Sequence, residues 1–161
     1  MAQHIPANDD ETRRQPDDAI ALLTADHRQV RALFQQYADT PDSYLKQIIA
    51  EHVFAELTLR MLLEETVFYP AVAEQADEEG QRLVSDALED HQQLRELIET
   101  LQEIDDDAAF ETGFQVLRDH VEQHVEDEET MMFPQAAQVL ATHLAEITLL
   151  LQQRKEQILA S

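Results

Sequence analysis

The chain contains no cysteine. That removes disulfides, thiolate nucleophiles and every Cys-ligated zinc or iron–sulfur site. Glycine occurs twice and proline five times in 161 residues. Glu, Leu, Ala and Gln dominate instead, and all four are good helix formers. No apolar run approaches the roughly 18 residues that a membrane span needs. The opening stretch, MAQHIPANDDETRRQ, lacks the apolar segment of a secretory signal, so a cytoplasmic location is expected. Basic residues are scarce: 11 Lys and Arg face 34 Asp and Glu, a formal net charge of −23. Such a surface repels phosphate backbones, so no nucleic-acid partner is expected. The charge reads first as a solvated surface and second as a means of concentrating metal cations.

What remains is one domain's length of chain, 43 % hydrophobic, which points to a folded all-α protein. Residues 1–16 are polar and aperiodic and read as a disordered tail. From Asp17 on, Ile20, Leu23, His27, Val30, Leu33, Phe34 and Tyr37 recur at three- and four-residue steps, which predicts a first helix. Thr40 is the expected N-cap of a second helix, with Pro41 at its first position, running from Asp42 to Tyr69 and stopping at Pro70. A third is expected over Asp77–Ile104. A fourth is expected from Asp107 to Phe133, starting at the Asp105–Asp107 run and stopping at Pro134. A final helix covers Ala136 to about Leu159. Short connections imply antiparallel neighbours. The expected architecture is an up-down four-helix bundle over 17–140 with an appended C-terminal helix in 141–161. The run Ile147, Leu149, Leu150 and Leu151 would pack across the bundle or form a homodimer contact.

An internal repeat at an offset of 64 residues is the most informative feature. Asp26-His27 matches Asp90-His91, and Gln29, Arg31 and Leu33 match Gln93, Arg95 and Leu97. Glu64-Glu65-Thr66 matches Glu128-Glu129-Thr130, and Pro70 matches Pro134, all without a gap. Two copies of one helix–loop–helix unit folded face to face would bring repeat mates to one point in the core.

His124 and Glu128, four apart, share a helix face about 6 Å apart along the axis. With His27, His91 and Glu64 they are expected to point at one central site. Imidazole and carboxylate together suit iron, manganese or zinc, and a pair of bridging carboxylates leans towards a dinuclear site. His120 and Glu56 are repeat mates one turn earlier and stand near even between ligand and solvated group. Adjacent helical residues lie about 100° apart, so Asp26 and Asp90 are not expected to support the neighbouring histidines. Glu65 and Glu129 are expected to point elsewhere, solvated or paired with a basic residue. Phe68, Met131, Met132 and Phe133 read as core. Tyr69 reads as core too, with a phenol able to donate a hydrogen bond near the site. His52, His4 and His143 carry no assigned role.

The pattern His27 … Glu64, His91 … His124-x-x-x-Glu128 resembles that of hemerythrin-like (HHE cation-binding) domains. So do the helix ends Glu64-Glu65-Thr66-Val67-Phe68-Tyr69-Pro70 and Glu128-Glu129-Thr130-Met131-Met132-Phe133-Pro134. The resemblance covers about residues 18 to 140. It implies a di-iron centre with His ligands on each iron and the two Glu carboxylates bridging. It also implies a role in binding O2, NO or peroxide, in sensing, or in iron handling.

One position departs from that pattern. The second-helix mate of His124 is Arg60, where the family has His. A guanidinium offers no lone pair and does not deprotonate in proteins. Three outcomes follow: Arg60 pairs with Glu64 or Glu56 and displaces one metal; it bends aside while Glu56 and His120 serve as ligands; or it replaces metal altogether. A mononuclear or altered dinuclear site is preferred to an ordinary di-iron one. The competing reading is a metal-free helical interaction module. An oxidative enzyme of ferritin type ranks last, because those sites use Glu-x-x-His, the opposite order. No catalytic residue is identified.

Overall fold

The computed structural model describes residues 18–161; the expected tail of residues 1–16 lies outside them. Helix α1 spans Ala19–Asp39 and α2 Ser43–Leu63. A π-helical turn, Glu64–Phe68, joins α2 to α3, Tyr69–Gln75. Then come α4, Glu78–Gln102, and α5, Asp107–Asp127. A second π turn, Glu128–Met132, leads into α6, Phe133–Val139, and α7 closes the chain over Leu144–Ala160. The described residues contain helices and no strand, as the composition predicts.

Aspartates start four of these helices. Asp18, Asp42, Asp77 and Asp106 accept backbone N–H bonds from Ala21, Leu45, Gly80 and Ala109 at 2.8–3.0 Å. Each satisfies a donor that the first turn leaves unpaired, with its negative charge at the positive end of the helix dipole. Thr40 does not cap α2. Its hydroxyl donates instead to the Gln36 carbonyl at 2.7 Å, closing the end of α1.

Pro70 and Pro134 do not end their helices. Each falls in the first turn of a new α segment immediately after a π turn, where the missing N–H is tolerated. Ala136 therefore belongs to α6. The last helix starts later, at Leu144, after a turn closed by the His143 N–H on the Leu140 carbonyl at 2.7 Å.

The buried apolar residues form two clusters. One holds Leu23, Leu59, Phe68, Val72, Ala87, Met132 and Leu140, with Ile147 and Leu151 of α7 packed into it. The other holds Val30, Phe34, Phe54, Leu94, Phe114, Leu117 and Val121. Along α1 the sequence passes from Leu23 in the first cluster through His27 to Val30 in the second. Along α4 it passes from Ala87 through His91 to Leu94. The histidines thus lie in a layer between two apolar blocks. Ile147 and Leu151 pack across the bundle, while Leu149 and Leu150 are exposed. No described helix is long and apolar enough to cross a membrane.

Candidate metal centre

That layer is polar and buried. His27, Arg60, Glu64, His91, His124 and Glu128 are each no more than 8 % exposed. They come from α1, α2, α4, α5 and both π turns. Each Glu opens its π turn, so the wider turn begins at the carboxylate in both halves. π turns inside α-helices recur at functional sites.

The inward-facing atoms converge. His91 Nε2 lies 3.1 Å from Glu64 Oε1, and His27 Nε2 lies 3.0 Å from Glu128 Oε1. His124 Nε2 is 3.9 Å from Glu64 Oε1 and 3.6 Å from Glu128 Oε2. Two sets have ligand atoms all within 4.8 Å of one another: Glu64, His91 and His124, and His27, Glu64 and Glu128. Glu64 is common to both.

The outward-facing Nδ1 atoms are also held. Those of His27 and His91 donate to Glu129 Oε2 at 2.8 Å and Glu65 Oε2 at 2.6 Å. That of His124 donates to Asp90 Oδ2 at 3.1 Å. A carboxylate only accepts, so each Nδ1 carries the proton and each Nε2 is directed inward. Carboxylates behind histidines in this way orient them as metal ligands. Arg95 in turn holds Glu65 at 2.7 Å, and Arg31 lies 3.8 Å from Glu129.

The electrostatics of the cluster follow from burying two carboxylates among imidazoles. Burial pushes Glu64 up, but the neighbouring His124 and His91 imidazoles outweigh it and hold its carboxyl well below the usual range. Burial and the Glu64 charge together raise Glu128. Burial pulls His27 and His124 down, yet the surrounding carboxylates win and raise both. Burial and the same two carboxylates raise Tyr69, whose neutral phenol donates to Glu128 Oε2.

Besides Nε and Nη1 of Arg60, three buried atoms of the converging residues make no hydrogen bond: Glu64 Oε2, Glu128 Oε1 and His124 Nε2. Buried polar atoms are rarely left so. All three belong to the converging set and are of the N and O type that suits iron, manganese or zinc. The residues present fit a metal.

The sequence model of the hemerythrin HHE cation-binding domain matches residues 18–136. The chain belongs to that family. A solved hemerythrin HHE cation-binding domain-containing protein from Mycobacterium kansasii is similar in fold, with a TM-score of 0.75 at 21 % identity. The alignment covers 87 % of this chain and 86 % of that one. No curated protein matches the chain at a significant level.

Against the hemerythrin pattern, His27, Glu64, His91, His124 and Glu128 are brought together, and Glu56 and His120 are not. His120 is exposed. Glu56 Oε2 is instead engaged by Arg60 Nη2 at 2.8 Å, and the same nitrogen reaches Asp26 Oδ1 at 3.2 Å and Gln29 Oε1 at 2.8 Å. Arg60 has bent aside, but without a neighbour taking its place as ligand. His52 is exposed, 3.8 Å from Glu56, and His143 bonds Thr142; His4 lies outside the described residues.

Four further residues belong to the site although the sequence pointed elsewhere. Glu65 and Glu129 do pair with arginines, but each also holds a histidine. Asp90 supports a histidine after all, on the neighbouring helix rather than its own. Phe133 stacks on His27, ring centroids 5.5 Å apart and planes within 4°. Met131 is exposed rather than core. The outer residues carry a signal in the repeat, since Glu65 and Arg95 are the mates of Glu129 and Arg31. Asp26 meets Arg60 just as its mate Asp90 meets His124.

Proposed function

We propose that the chain is a non-haem iron protein with an asymmetric, two-position His/Glu centre that binds a molecule the size of O2, NO or peroxide, for sensing or iron handling. His91, His124, Glu64 and Glu128 would hold one ion. His27 with Glu64 and Glu128 would hold a second, more weakly. The single observation carrying this reading is the set of three buried atoms that make no hydrogen bond, Glu64 Oε2, Glu128 Oε1 and His124 Nε2. A metal-free interaction module has no use for them, and leaving them so costs it stability.

Arg60 accounts for the inequality. Where the His124 half has an imidazole, the His27 half has a fixed positive charge turned away from the ligands. The charge neutralises Asp26 and Glu56 but disfavours a cation beside it. Beside the ligands lies a cavity of about 30 Å³, walled by Leu23, Val30, Leu57, Leu94 and Val121 and bordered by His27, Arg60, Glu64, His91 and His124. That is room for one small molecule. Bound iron would supply Lewis-acid and one-electron chemistry there. The protein's own part is to orient the imidazoles and exclude bulk water.

A stability titration tests the reading. Metal that binds only the folded state at a hundred times its Kd adds about 2.7 kcal/mol. For a chain of this size that raises Tm by roughly 5–10 °C. Metal-stripped protein titrated anaerobically with ferrous iron is expected to show that rise. An unchanged Tm with iron, manganese and zinc alike would favour the interaction module.

A further inference from the structure

The two halves differ at one more position. Tyr69 and Phe133 are repeat mates, and each lies against the histidine of one half. Phe133 offers His27 only a ring face. Tyr69 brings an oxygen: its Oη lies 3.3 Å from His91 Nε2 and donates to Glu128 Oε2. Tyr69 is 1 % exposed, so this phenol is directed into the cluster and away from solvent.

The backbone explains how it gets there. In an α-helix the residue five after Glu64 would lie about 140° away around the axis, at 100° per residue. Across the π turn the Tyr69 N–H bonds the Glu64 carbonyl, which widens the turn and brings Tyr69 round towards the face of Glu64. Tyr69 and Glu64 then share a face. The second π turn does the same for Glu128 and Phe133, where the side chain has nothing to donate.

These hydrogen-bonded neighbours also have the spacing of two ligands on one ion. Two donors at right angles on one ion, each about 2.1 Å from it, are about 3 Å apart. His91 Nε2 to Glu64 Oε1 is 3.1 Å, and Tyr69 Oη to His91 Nε2 is 3.3 Å.

We propose that Tyr69 is itself a metal ligand, its phenolate oxygen completing the position formed by His91, His124, Glu64 and Glu128. This rests on the metal-binding reading above. On coordination the Oη–H bond breaks, the oxygen bonds the metal and the proton leaves to solvent; nothing is oxidised or reduced. The carboxylates that keep the proton on the phenol in the metal-free protein are outweighed once a cation sits among them. The phenolate also adds a negative charge to the His91/His124 position, in the half that Arg60 does not oppose.

Iron-loaded, air-oxidised full-length protein tests it. The wild type is expected to show a visible phenolate-to-iron(III) charge-transfer band, with phenolate ring modes enhanced in resonance Raman spectra. Tyr69→Phe is expected to fold, since the other half already places Phe at the mate position. At saturating metal it is expected to keep its iron while losing both the band and the ring modes. Its iron affinity should fall at least by the roughly 10- to 100-fold seen when an outer-shell partner is removed. Iron bound in the wild type without phenolate modes, or modes that survive in Tyr69→Phe, would overturn the ligand assignment and leave the His/Glu site standing. No iron in either protein would overturn both.

Discussion

His124→Ala is expected to lose the tighter metal position. Its Nε2 is one of the three buried atoms without a hydrogen bond, and its Nδ1 is already committed to Asp90. The position it serves has only one other imidazole, His91. Removing an outer-shell partner of a metal ligand costs about 10- to 100-fold in affinity, so removing the ligand itself should cost more than 100-fold. Iron per chain after gel filtration should fall close to zero, while circular dichroism stays helical. Full iron occupancy in a folded His124→Ala protein would show that the metal, if any, is held elsewhere.

Arg60→His is expected to act in the opposite sense. It restores the repeat, since Arg60 is the mate of His124. The support for the new imidazole is in place: Asp26 already faces this position, as Asp90 faces His124. The change also removes a positive charge from beside the His27 position. Elemental analysis should rise from about one to about two irons per chain, the second position gaining the His ligand whose loss elsewhere is worth more than about 100-fold. Some fold stability will be lost, because the half-buried Glu56 loses its arginine partner, at about 1–3 kcal/mol. A stoichiometry that stays at one would mean that Arg60 does not limit the second position. Two tightly held irons in the wild type would contradict the asymmetry.

The repeat made four of the five converging residues legible, and the four-residue step to Glu128 added His124. Two gapless copies place His27 beside His91 and Glu64 beside Glu128 in phase, before any contact is known. The helices were equally legible, since leucine and alanine at helical spacing leave few alternatives. What escaped has local physical causes. Reading each helix as 3.6 residues per turn hides both π turns, and with them the continuation through Pro70 and Pro134. Tyr69 was expected near the site as a hydrogen-bond donor, but the π turn that carries it there was not. The angular argument about Asp26 and Asp90 was sound for their own helices. It missed Asp90 because its partner, His124, sits on the neighbouring helix; Asp26 supports no histidine and pairs with Arg60. Which way Arg60 would turn depends on Asp26, Glu56 and Gln29 meeting at one nitrogen, a tertiary coincidence that spacing along one chain does not encode.

Iron-edge anomalous diffraction from a crystal of iron-loaded protein tests the central claim most directly. The account predicts a strong peak among His91 Nε2, His124 Nε2 and the Glu64 and Glu128 carboxylates, and a weaker one beside His27. An interior without anomalous density, with iron confined to acidic side chains on the surface, would contradict it.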